Sequence, residues 1–211
     1  MTSLLSALLV GLSAAFLAGG AVLLLRLATP GGAVTLAIEV GVIAGFGSWP
    51  WGVVALTFVA CLCAAGHYRR ADKAALADTL RRTQRLDWVG AIGRLGWAVV
   101  LAIVFDGTPA SSGYLGFVGA VAASAADVVA TQLGVLSAQK PRSITTWRPV
   151  SAGTPGAVSL LGTIAIVGAS YLVGLVGLAS LSLQSWLAQI PLPRVWSWLP
   201  VAALAGGMSG A

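Results

Sequence analysis

The stretch from 124 to 162, SAADVVATQLGVLSAQKPRSITTWRPVSAGTPGAVSLLG, decides how the chain is organised. Its first residues finish an apolar run in which Asp127 stands among alanines and valines. Its middle gathers Lys140, Arg142 and Arg148 with Ser143, Thr145, Thr146 and Thr154, broken by Pro141, Pro149 and Pro155, and from Gly156 an apolar run begins again. A lipid-facing segment has no use for that mixture of acid, base, hydroxyl and turn residues. The stretch therefore reads as a helix, a polar loop and a returning helix, with the working site at the loop.

Outward from that stretch the chain is apolar almost throughout. Of 211 residues 58% are hydrophobic and 9% charged, and the mean hydropathy is +0.93, against roughly 25% charged residues in a soluble domain. The reading is an all-α, polytopic transmembrane helical bundle in a cell or organelle membrane, since no alternating strands of barrel type are visible. At about 20 residues per span the length admits about six or seven. They fall near 3–28, 33–47, 51–68, 88–105, 114–136, 156–181 and 195–211, in one domain, with the last barely long enough to cross. The first run is too long and too poorly charged at its start for a cleaved signal sequence.

The net charge of +6 does not point to nucleic acid, because the basic residues cluster between hydrophobic runs. His67, Arg69, Arg70, Lys73, Arg81, Arg82 and Arg85 precede the fourth span, and Lys140, Arg142 and Arg148 follow the fifth. The positive-inside tendency makes the loops 69–87 and 137–155 cytoplasmic. The corner GSWPW at 47–51 has the tryptophans expected at headgroup level. Cys61 and Cys63, two apart on a helix, point to different faces and read as buried spectators. Glu39, in a short glycine-interrupted span, faces the bundle interior as a hydrogen-bonded carboxyl or as a second acid. Arg94, two turns into the fourth span, either snorkels to the interface or binds phosphate or pairs with Asp127 or Glu39.

On the fifth helix Ser124, Asp127 and Thr131 are spaced by three and four and share a face. The alanines between them leave room for a ligand or another helix. One carboxylate with hydroxyls suits a magnesium ion that carries a nucleotide, whose phosphates complete the coordination. The adjoining loop supplies Arg142, Thr145, Thr146, Gly153, Thr154 and Ser159 where a helix starts, and a helix start attracts phosphate through its free amides and dipole. No GxxxxGKS loop occurs in the chain.

Three strings then carry a resemblance: ADVVATQLG at 126–134, PRSITTW at 141–147 and GTPGAVSLLGT at 153–163. In this order and spacing they resemble the motifs ADTxATE(I/L)G, PRLITT and GTxGGVSLLGT of the integral membrane proteins grouped as domain of unknown function 92, which include plant phytyl-phosphate kinase. The similarity extends more weakly from GSWPW through the basic loop. It implies an enzyme that uses magnesium and a nucleoside triphosphate, CTP in the family, to phosphorylate a prenyl monophosphate such as phytyl, geranylgeranyl or farnesyl phosphate. It assigns Asp127 to the metal, Arg142, Thr145 and Thr146 to phosphate, and Gly153, Thr154, Gly156 and Ser159 to the nucleotide or acceptor. Phosphoryl transfer needs positioning, a metal and positive charge rather than a covalent nucleophile.

The chain departs from the pattern at Val128 for threonine, Gln132 for an acid and Ala157 for the second glycine. Gln132 thereby removes one possible metal ligand from the cofactor side of the helix. The Asp-Ser motif that the family has after a string like GGMSGA does not occur before Ala211. Two readings follow: a prenyl-phosphate kinase, and a prenyl- or lipid-phosphate binder or transporter that keeps the loop without the transfer chemistry.

Overall fold

The computed structural model describes residues 4–73, 85–105, 111–151 and 156–210. In order it has α1 (Leu4–Leu24), α2 (Pro30–Phe46), α3 (Trp49–His67), α4 (Trp88–Val104), α5 (Ser111–Gly134), the two-residue strands β1 (Arg142–Ser143) and β2 (Ala157–Val158), α6 (Leu160–Ala188), a 3-10 turn (Arg194–Trp198) and α7 (Leu199–Gly210). This is an all-α helical membrane bundle. Among the described residues α1, α3, α5 and α6 are long and apolar enough to cross a membrane, while α2 and α4 are apolar but shorter. At 17 residues each the latter reach about 26 Å, slightly under a hydrocarbon core of about 30 Å.

The local signals behind these boundaries are caps. Thr29 precedes Pro30 and its hydroxyl accepts from Gly32 N at 3.1 Å, Asp87 accepts from Gly90 N at 2.8 Å, and Ser159 accepts from Gly162 N at 3.1 Å. Each satisfies an otherwise orphaned amide at a helix start. All three caps lie at the same end of the bundle. There the chain between α1 and α2 is tied to the segment before α4 by Leu86 N to Leu27 O at 2.8 Å and Thr29 N to Leu86 O at 2.9 Å. The Arg70 guanidinium donates to Leu25 O at 3.1 Å.

That end carries Arg26, Arg69, Arg70, Lys73, Arg85, Lys140, Arg142 and Arg148, while Arg194 lies at the other, in the 3-10 turn. The other end is closed by aromatics. Trp51 meets Phe117 at 4.5 Å and Tyr114 at 5.2 Å between ring centroids, and Tyr114 meets Trp196 at 5.7 Å. Trp51 thus turns into the bundle, just after Ser48 takes a positive φ of 75° at the GSWPW corner. Phe58, Phe117, Leu36, Ile43 and Leu95 are fully buried between α2, α3, α4 and α5. Leu8, Phe16, Ile38, Trp97, Ile164 and Leu172 face outward, the distribution a hydrocarbon solvent rewards.

The expected seventh span is not a full one. Residues 194–198 form the 3-10 turn and α7 has 12 residues, about 18 Å of helix. It enters from the aromatic end and packs in the groove between α5 and α6. A methyl at Gly206 would stand 2.6 Å from Gly119 O, one at Gly207 2.7 Å from the Ser170 Cβ, and one at Gly210 2.7 Å from the Ala123 Cβ. Gly119 and Ala123 of α5 therefore admit α7 at close range.

Candidate functional site

The basic end brings the three motif segments together. Ser159, at the start of α6, donates its only hydroxyl proton to Gly134 O at the end of α5, at 3.3 Å. The Cα atoms of Gly134 and Gly162 face each other closely enough that a Cβ on Gly162 would lie 3.7 Å from Gly134. Above this crossing β1 pairs antiparallel with β2, Arg142 opposite Val158 and Ser143 opposite Ala157. Ser143 N to Arg148 O at 3.0 Å, Val150 N to Pro141 O at 2.9 Å and Ile144 N to Gly156 O at 3.0 Å complete a compact cap. Gly156 has φ +74°, which only glycine adopts without strain and which turns the chain into β2.

Within this cap the Arg142 guanidinium is exposed and donates to Trp147 O at 3.3 Å, leaving most of its five donors free. Thr145 shares a hydrogen bond with Ser143 at 2.9 Å, and Thr146 and Arg148 are exposed. Gly153 and Thr154 lie outside the described residues.

On α5 the shared face divides by role. Ser124 is half-buried against α4 and its one hydroxyl proton is shared between Arg94 O at 2.5 Å and Ala120 O at 3.2 Å. It has no proton left for a phosphate, although its lone pairs remain. Asp127 and Thr131 are exposed, and Asp127 has no hydrogen bond or ion pair among the described residues. A free carboxylate with a hydroxyl one turn on fits a magnesium ion whose other ligands are water and phosphate. Among the described residues no three His, Cys, Asp or Glu side chains gather to form an all-protein metal site.

Gln132 looks elsewhere. Its Oε1 accepts from the Lys73 ammonium at 3.2 Å, and Lys73, 1% exposed, also donates to Ala65 O. Ala65 lies in the last turn of α3, where carbonyls lack helical partners and the helix dipole is negative, so the ammonium serves as a C-terminal cap. Burial pushes Lys73 below the ordinary lysine range. In the sequence Lys73 is one charge of the basic run. No local signal gave this away, because the chain leaves the helix after His67 and reverses at Tyr68 and Arg69, the latter with φ +45°, before Lys73 comes back over the end of α3.

Arg94 forms neither expected pair. The one ion pair among the described residues is Arg69–Asp72 at 2.6 Å, exposed at the surface. Arg94 Nε and Glu39 Oε2 are both enclosed without hydrogen-bond partners. His67 is exposed at the end of α3, and Cys61 and Cys63 are free thiols, the first buried and the second half-buried.

Apolar helices of spanning length, helix starts capped at one end, and basic side chains gathered at that end, with an exposed carboxylate on α5 two turns short of it, define a polytopic helical membrane protein with polar groups concentrated at one face. The chain belongs to the integral membrane protein family DUF92, whose model matches residues 8–211. It is 43% identical over 63 residues to an uncharacterised membrane protein of Methanocaldococcus jannaschii, covering 30% of this chain and 26% of that one. It is 38% identical over 92 residues to the protein PGR of Arabidopsis thaliana, covering 43% of this chain and 32% of that one. Each match thus spans less than a third of the relative's own length. No solved structure matches the chain.

Proposed function

We propose that this protein is a membrane-embedded phosphotransferase that moves a phosphoryl group from a nucleoside triphosphate, with CTP the expected donor, to a prenyl monophosphate to give the diphosphate. The observation that carries the reading is the convergence of the three motif segments through Ser159 and Gly134 and the β1–β2 pairing of Arg142 with Val158. It brings exposed guanidinium donors and a capped helix start to the end of α5, two turns beyond Asp127. Phosphoryl transfer asks for those parts and for no protein nucleophile, because the acceptor phosphate is already anionic.

In this reading Asp127, with Thr131 one turn on, holds magnesium, and Arg142, Thr145, Thr146 and Arg148 receive the nucleotide together with Gly153, Thr154 and Gly156. The prenyl tail lies among the helices. The basic end faces the cytoplasm, where nucleotide is available, consistent with eight described Lys and Arg at that end and Arg194 at the other. The test is a transfer assay in detergent with magnesium, each nucleoside triphosphate in turn and farnesyl, geranylgeranyl or phytyl monophosphate, with diphosphate read by mass spectrometry. Product that requires nucleotide and disappears in Asp127→Ala supports the reading.

A second reading, a lipid-phosphate binder without transfer chemistry, is favoured by one observation: the amide of Gln132 is engaged by Lys73, so α5 offers Asp127 as its one acid. Binding of prenyl phosphate with no nucleotide binding at all would select it.

A further inference from the structure

We propose that Arg94 is the ligand for the acceptor's monophosphate, which it holds inside the bundle while Asp127 and its cation meet the phosphate from the other side. This rests on the phosphotransferase reading and separates its two anionic substrates: the lipid phosphate belongs to Arg94, the nucleotide to the cap that carries Arg142.

The heights of the groups argue for it. The hydrogen bond from Ser124 to Arg94 O at 2.5 Å sets these two residues level on neighbouring antiparallel helices. From there the Arg94 side chain runs back along its own helix, since Nη1 lies 3.3 Å from where a Cβ on Gly90 would stand. That is one turn toward the basic end. Asp127 lies three residues beyond Ser124 in the same direction, about 4.5 Å along α5. Guanidinium and carboxylate therefore reach the same level from facing helices, yet they form no ion pair.

Glu39 does not take the guanidinium instead. Gly32 packs against Leu86 and Asp87 at the starts of α2 and α4, so Glu39, seven residues on, stands level with the Arg94 backbone while the guanidinium turns away from it. An enclosed Arg94 Nε without a partner, on a guanidinium that makes no ion pair with Asp127 at its own level or with the nearer Asp87, is costly unless a ligand meets it. A phosphate monoester does so with one set of oxygens on Arg94 and another on the cation at Asp127. An intramembrane cation of this kind suits a phosphate that arrives on a lipid, whose headgroup enters with its tail already in hydrocarbon.

The experiment titrates the full chain in phosphatidylcholine nanodiscs with farnesyl monophosphate, farnesol, inorganic phosphate and CTP, with magnesium, by calorimetry. Wild type, Arg94→Gln, Arg94→Lys and Arg142→Gln are compared. Arg94→Gln should lose about tenfold or more in farnesyl monophosphate affinity with CTP affinity unchanged, which also shows that it is folded. Arg94→Lys should lose less, and Arg142→Gln should lose CTP instead. Unchanged farnesyl monophosphate affinity in Arg94→Gln, or equal losses of both ligands that Arg94→Lys does not recover, overturns the assignment. So does inorganic phosphate binding the wild type as tightly as the lipid phosphate. Arg94-dependent lipid-phosphate binding without CTP binding would sink the phosphotransferase reading and leave the assignment of Arg94 standing.

Discussion

Replacing Ser159 by alanine separates a structural hydroxyl from a ligand. Ser159 accepts from Gly162 N at 3.1 Å and donates to Gly134 O at 3.3 Å, so its proton is spent inside the protein. The first bond is an N-cap, and deleting one costs about 1 kcal/mol. The second is a half-buried, rather long hydrogen bond worth about 0.5–1.5 kcal/mol. Together they put Ser159→Ala about 1.5–2.5 kcal/mol below the wild type, or roughly 3–10 °C in melting temperature for a chain of this size. Ser159→Thr keeps both bonds and should recover most of the loss. Thermal unfolding in detergent, followed by tryptophan fluorescence, reads the stability, and nucleotide titration at low temperature reads the site. An alanine variant as stable as the wild type refutes the double role of the hydroxyl. One of normal stability that no longer binds nucleotide shows that the hydroxyl is a ligand after all.

The remaining predictions concern charge. Asp127→Asn should unfold at the wild-type temperature, because the carboxylate is exposed and unpartnered, while losing magnesium-dependent nucleotide binding and diphosphate formation. Burial lowers the affinity of folded Lys73 for its proton, so the unfolded chain binds more protons between the lowered value and about 10.4. Stability measured by denaturation should accordingly rise with pH through that window and be independent of this group below it, and Lys73→Met should flatten this component. Single cysteines at Arg148 and Arg194, in a background with Cys61 and Cys63 replaced by serine, should react with an impermeant maleimide from opposite sides of the membrane; labelling from one side would overturn the orientation.

How much of this was legible in the sequence varies by element. The apolar runs, the polar interruption after α5 and the caps at Thr29, Asp87 and Ser159 are local features, and hydrocarbon forces such runs into helices because every backbone group must be satisfied within the segment. Ser159 illustrates the limit. Its place before an apolar run marks a helix start, but that its proton goes to Gly134 depends on how α5 and α6 cross. The alanines of α5 likewise allow a close neighbour without saying whether it is a ligand or, as along Gly119 and Ala123, the glycines of α7.

By itself, then, the sequence determined that this is a helical membrane protein, where its helices begin, and which polar residues stand out from hydrocarbon. It did so because burial in lipid acts on each segment separately. Tertiary structure alone decided that Lys73 caps α3 and holds Gln132, that Ser124 is spent on Arg94, and that Asp127 forms no ion pair with Arg94. The Lys73–Gln132 and Ser124–Arg94 contacts join residues 59 and 30 positions apart, and they follow from the heights and rotations at which the helices pack, which no local pattern encodes.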